Sequence, residues 1–104
     1  MPLLTRGFRP SERALHFKRH GAKLSIASEM QYELQADMFL GGMGSPAMLQ
    51  GIRPDGDMVR FDPATGKFGS LGADRFIRTY FVRDPKNVAE NLRYFQDQCV
   101  RKFP

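Results

Sequence analysis

The chain has 104 residues, 41% of them apolar, with nine phenylalanines and three tyrosines. That suffices for one small folded domain and argues against disorder. No run approaches the eighteen or so apolar residues of a membrane span. A single cysteine, Cys99, excludes an internal disulfide and suits a reducing compartment. The formal net charge of +5 is unevenly spread. Residues 1–23 carry Arg6, Arg9, Arg13, Lys18, Arg19 and Lys23 against Glu12 alone, whereas from residue 24 onward acids and bases balance.

The opening segment, MPLLTRGFRP, is irregular in pattern and basic, and lacks the apolar core and cleavage site of a signal peptide. The expected location is therefore cytoplasmic, the cell's own or a target cell's, with no membrane attachment. Ser11 suits an N-cap, and a short helix is expected to run to His20 and stop at Gly21. A second helix fits SEMQYELQADMFLGG: Ser28 and Gln31 have capping-box spacing, and Met30, Leu34 and Met38 fall at i, i+4 and i+8 as a core stripe. Beyond residue 47 the pattern becomes short segments between turns. AMLQGIR, Pro54-Asp55-Gly56 and DMVRFD read as a hairpin, and the turns PATG and GADR lead into KFGSL and FIRTYFVR. The expectation is a four-stranded antiparallel meander. Asp84-Pro85 suits the start of a last helix, with Val88, Leu92, Phe95, Cys99 and Phe103 as its apolar stripe. Cys99 on that stripe reads as a packed thiol. The fold class is α+β: two N-terminal helices, a meander sheet and a C-terminal helix, with the helices covering one sheet face.

The chemistry-bearing residues cluster unevenly. His16 and His20, the only histidines, project from one side of a helix within the most basic segment. Three readings compete. The spacing is half of a zinc site, but a third and fourth ligand are not evident, so no metal or other cofactor is expected. A helix C-terminus favours a cation, which suits His20 as a structural cap. The third reading is an acid/base pair beside a phosphate, since one imidazole can be neutral and the other charged near neutral pH. Arg60 and Arg78 each interrupt an apolar strand, which fits either ordinary exposure or a phosphate fork. Strict alternation puts Phe76, Arg78, Tyr80 and Val82 on one face and Ile77, Thr79, Phe81 and Arg83 on the other. The basic set Arg9, Arg13, Lys18, Arg19 and Lys23 reads as a polyanion-binding segment or as a solvated face.

HFKRHG, YELQADMFL, VRFDPATGKFGSL and FIRTYFVRDP, spanning residues 13–85, resemble small bacterial and phage-encoded nucleases of the barnase-, EndoU-, colicin- and RelE-like superfamily. The chain reads as one domain over residues 1–104, with an irregular basic arm (1–10), a core (11–85) that the resemblance implies is a nuclease, and a terminal helix (86–104) beyond the matched region. It implies metal-independent endoribonuclease activity on an open sheet face, as in a toxin or a phage-encoded enzyme, through 2′-hydroxyl attack to a 2′,3′-cyclic phosphate. The residues carried over are His16, His20, Arg60, Arg78, Thr79 and Tyr80. Grouping Thr79 with Arg78 and Tyr80 would require a bulged strand. RNA and an acidic immunity or antitoxin protein are the implied partners. The competing expectation is a basic nucleic-acid-binding or host-interaction module without catalysis.

Overall fold

The computed structural model describes residues 3–84 and 86–100. The element order is α1 (Pro10–His20), a 3₁₀ turn (Ala22–Leu24), α2 (Glu29–Gly41), β1 (Leu49–Ile52), β2 (Met58–Phe61), β3 (Lys67–Leu71), β4 (Ile77–Val82) and α3 (Val88–Val100). The four strands form one antiparallel sheet in the order β1-β2-β3-β4, the meander expected from the turn signals.

Helix boundaries follow local chemistry. α1 starts at Pro10, not after a Ser11 cap; Arg9 holds the N-cap position in extended conformation with no side-chain cap. Proline's fixed φ is preorganised for the first helical position, so the boundary lies two residues upstream of the one expected. Gly21 closes α1 in right-handed geometry, and the chain continues into the 3₁₀ turn before Ser25 takes the left-handed conformation at φ 57°. Gly21 is needed for close approach instead: a Cβ there would sit 2.7 Å from the Phe17 ring. In α2, Ser28 Oγ accepts from the Gln31 amide at 3.2 Å, as its spacing predicts.

The inward face of α2 is not the expected one. Met30, Leu34 and Met38 are 68%, 40% and 69% exposed, while Tyr32, Ala36, Phe39 and Leu40 are buried. The helix is apolar on two sides, and both sets obey helical periodicity, so spacing alone does not choose between them. The choice is made by Tyr32 and Leu40, which fill the space above the sheet beside Phe8, Leu71, Ile77 and Tyr80.

The sheet is covered on both faces, not one. Met58, Leu71, Ile77 and Tyr80 pack with α2 and Phe8, and alternation turns Val59, Phe61 and Phe68 to the other side, against Phe95 and Leu92 of α3. A bulge adjusts β4. Ser70 pairs with Thr79 but Leu71 with Ile77, leaving Arg78 as the extra residue. Ile77 therefore shares the α2 face with Tyr80, contrary to strict alternation. α3 begins at Val88, later than the expected start at residue 86; Asp84 Oδ1 accepts from the Lys86 amide at 2.9 Å in a turn before it. Pro85 and Phe103 lie outside the described residues. Cys99 packs over Gly51 in the α3 cluster, and burial pushes its thiol pKa up, as suits a packed thiol.

The N-terminal segment is docked rather than loose. Asp37 accepts from the Leu4 and Thr5 amides at 2.8 and 2.7 Å and from the Thr5 hydroxyl, and Glu33 accepts from the Phe8 amide at 3.1 Å. The Ile77 amide donates to Gly7 O at 2.8 Å, so this segment covers the exposed edge of β4.

Leu40→Ala should cost about 2–5 kcal/mol in urea denaturation, the usual range for a buried leucine. Met30→Gln combined with Met38→Gln should change stability by less than about 1 kcal/mol, because both side chains already face water.

Candidate nucleic-acid interface

α1 lies along β4, and the histidines build that contact. The His16 ring stacks on Phe8 with centroids 5.3 Å apart, and His20 follows at 6.0 Å from His16 and 5.4 Å from Phe81. Phe8 in turn stacks on Tyr32 at 5.3 Å. The i, i+4 spacing thus serves a ladder of rings that joins α1 to the sheet. Burial holds the His16 imidazole below its ordinary pKa, opposed by Glu12 and reinforced by Arg19. His20 is lowered first by burial, then by His16, Arg19 and Lys23. Nδ1 of His16 is buried with no hydrogen-bond partner among the described residues. An imidazolium there would be costly, which favours the neutral ring.

His20 is the outer member of the ladder and lines a cleft of about 290 Å³ between the end of α1, the end of β4 and the start of α3. Lys23 and Arg83 line the same cleft. Arg83 is held in place from both sides. Its Nε donates to Asn91 Oδ1 at 2.8 Å, and its guanidinium lies 4.0 Å from the Tyr94 ring centroid. Asn91 is fixed in turn by donating to Asp84 O at 2.7 Å. The Asp62–Gly66 turn sets the backbone: Gly66, at φ 79°, accepts from the Arg83 amide at 2.7 Å. A side chain on Gly66 would run into Arg83 O, so the turn needs glycine.

The other expected site residues do not gather here. Arg60 Nη1 donates to Phe39 O at 2.9 Å and Gly42 O at 2.6 Å, and its Nε donates to Gln50 Oε1 at 2.6 Å. It caps the C-terminus of α2, where a cation is favourable. Arg78 pairs with Asp74 at 3.1 Å and Asp57 at 3.6 Å near the β3–β4 turn. Tyr80 is fully buried, its hydroxyl donating to Gln35 Oε1 at 2.5 Å, and burial pushes its pKa up. Thr79 is half-buried opposite Ser70. With both sheet faces covered, the open-face arrangement of Arg60, Arg78 and Tyr80 is not assembled.

The basic segment also divides. Arg9 pairs with Asp74 at 2.8 Å, and Arg13 reaches Glu29 at 3.2 Å and Glu33 at 3.3 Å. Lys18, Arg19 and Lys23 are exposed and make no ion pair among the described residues. The sequence reading missed Arg83 and Asn91; the available signal was an arginine directly after the last strand, ahead of Asp84-Pro85. Among the described residues, no group of three or more His, Cys, Asp or Glu side chains could hold a metal ion, and no helix is long and apolar enough to cross a membrane.

No protein-family model matches the chain, and no curated protein is similar to it in sequence. What the site can do is therefore argued from its own groups: one accessible imidazole, the cations Lys23 and Arg83 and the carboxylates Asp84 and Glu90 around a cleft, next to a cationic helix end.

The ladder has a pH signature. Both histidines titrate below 6.5 in the folded protein, so the unfolded chain binds the extra protons. Their contribution to stability is complete above about pH 6.5 and is lost as pH falls through the lower folded-state pKa values. Urea midpoints should therefore fall between about pH 7.5 and 5. In His16→Phe the fall should be shallower, the aromatic contact being kept without a titrating nitrogen; an equal fall in both proteins would detach the dependence from the ladder.

Proposed function

We propose that this protein acts on RNA as a metal-independent endoribonuclease whose centre is the cleft of His20, Lys23 and Arg83, not the sheet face. The observation that supports the reading is their convergence: an imidazole with a lowered pKa lines one cleft with two cations, with Asp84 and Glu90 also on its wall. Neutral at pH 7, His20 is fitted to take the proton of a ribose 2′-hydroxyl. The 2′-oxygen then bonds to phosphorus and the bond to the 5′-oxygen breaks, giving a 2′,3′-cyclic phosphate and a 5′-hydroxyl end. Lys23 and Arg83 offset the charge gained by the phosphoryl oxygens. His16 is committed to stacking, so the leaving 5′-oxygen takes its proton from water in the open cleft, and the hydroxide so formed takes back the proton held on His20. Lys18 and Arg19 extend the cationic surface along α1 for flanking phosphates. The same surface would accept an acidic immunity or antitoxin protein, the partner implied by the nuclease resemblance.

A second reading, RNA binding without cleavage, is favoured by one observation. The cleft offers one accessible imidazole rather than two, because His16 is held between Phe8 and His20.

Incubation with single-stranded RNA in EDTA separates the readings. Cleavage should leave 2′,3′-cyclic ends, spare DNA, and drop by about 10²–10⁴-fold in His20→Ala with affinity little changed. Binding with no cleavage at any protein concentration would select the second reading, and dependence on a divalent ion would overturn the mechanism.

Affinity tests the charge assignment. Replacing Lys18, Arg19 and Lys23 with Gln should reduce the slope of log affinity against log salt by about 2, at roughly 0.7 per phosphate contact on a single strand. Replacing Arg9 and Arg13 should leave the slope near its original value, since both are paired to carboxylates. The opposite ranking would place RNA on another face.

A further inference from the structure

A second cavity lies away from the cleft and shares none of its lining residues. It measures about 390 Å³ and opens between the end of α2, strands β1 and β2, and the β3–β4 turn. Leu40, Met58 and Leu71 give it an apolar lining, and Gln50, Arg60 and Arg75 supply its polar groups. No carboxylate lines it.

The two arginines differ from the paired ones elsewhere. Arg9, Arg13 and Arg78 each meet a carboxylate. Arg60 and Arg75 bond only to neutral oxygens: Arg60 to Phe39 O, Gly42 O and Gln50 Oε1, and Arg75 Nη2 to Leu4 O at 2.9 Å. These bonds fix both side chains at the cavity while leaving their charge uncompensated by any carboxylate among the described residues. Arg60 is half-buried as well, and desolvation lowers its pKa. Arg75 is held in left-handed backbone geometry at φ 74°, unusual for a non-glycine residue. A preset pair of guanidiniums beside an apolar lining is a recognition arrangement for an anion carrying an apolar body.

We propose that this cavity binds a small organic anion, a phosphate or carboxylate attached to a compact apolar or aromatic group. The anionic head lies at Arg60 and Arg75, and the body lies against Leu40, Met58 and Leu71. The site is separate from the RNA cleft and stands whether or not RNA is cleaved.

The test is a titration followed by NMR at the Met58 methyl and the Gln50 side-chain amide, using phenyl phosphate, benzoate, inorganic phosphate and phenol. Phenyl phosphate or benzoate should shift both signals and bind about tenfold or more tightly than inorganic phosphate or phenol, because each of these lacks one half of the recognition. Which of the two anions binds better tells phosphate from carboxylate. Arg75→Asn removes the guanidinium while suiting the left-handed backbone, and Ala73→Glu places a carboxylate at the exposed rim; each should weaken binding about tenfold. The His20 and Lys23 signals should stay still. Equal binding of phenyl phosphate and inorganic phosphate, no response to Arg75→Asn and Ala73→Glu, or shifts centred on the His20 cleft would each overturn the proposal.

Discussion

Three carboxylates on α2, Glu29, Glu33 and Asp37 at i, i+4 and i+8, determine where the N-terminal quarter of the chain sits. Asp37 receives the Leu4 and Thr5 amides, Glu33 receives the Phe8 amide, and Glu29 and Glu33 hold Arg13. Each bond has an ionised acceptor, the stronger class of hydrogen bond. With that face of the helix committed at intervals of about 6 Å, four residues at about 1.5 Å each, Phe8 can enter the core above Ile77, and α1 can only lie beside β4. The ring ladder and the cleft inherit their positions from this ridge.

The arginines show why net charge is a poor guide to an interface. Arg9, Arg13 and Arg78 are balanced by carboxylates, and Arg60 caps a helix with backbone oxygens. Arg83, like Arg60 and Arg75, is fixed in direction by neutral groups, here an amide and an aromatic ring, with no carboxylate paired to its charge among the described residues. A cation that is oriented but not neutralised retains its attraction for phosphate, and loses little side-chain entropy when it binds.

Most of the fold was legible in the sequence because it is written in local signals. Turn residues at 54–56, 63–66 and 72–75 delimit the strands, and Ser28 caps α2 as its spacing indicates. What failed were choices that local pattern does not make. Met30, Leu34 and Met38 are as periodic as Tyr32, Ala36 and Leu40, and only tertiary volume decides between them. The bulge at Arg78 is a property of strand pairing, so alternation along one strand misplaced Ile77. The candidate site was half legible. His20 and Lys23 were visible in the basic segment, but Arg83 joins them through the packing of α3, and Arg60 and Tyr80 are drawn away by a helix end and by the core.

The docking of the N-terminal segment also bears on the order of assembly. The meander is closed by hairpins, whose partners are near neighbours in the chain. The N-terminal contacts instead join distant residues: Arg6 to Arg75, Gly7 to Ile77, Arg9 to Asp74. Loop-closure entropy sets such contacts against local ones, so the hairpins can form while α1 is still searching for its edge. The cleft needs α1, β4 and α3 at once and is completed only when that search ends. A chain that has folded its sheet and α3 but not yet seated α1 holds Arg83 in direction without His20 and Lys23 beside it.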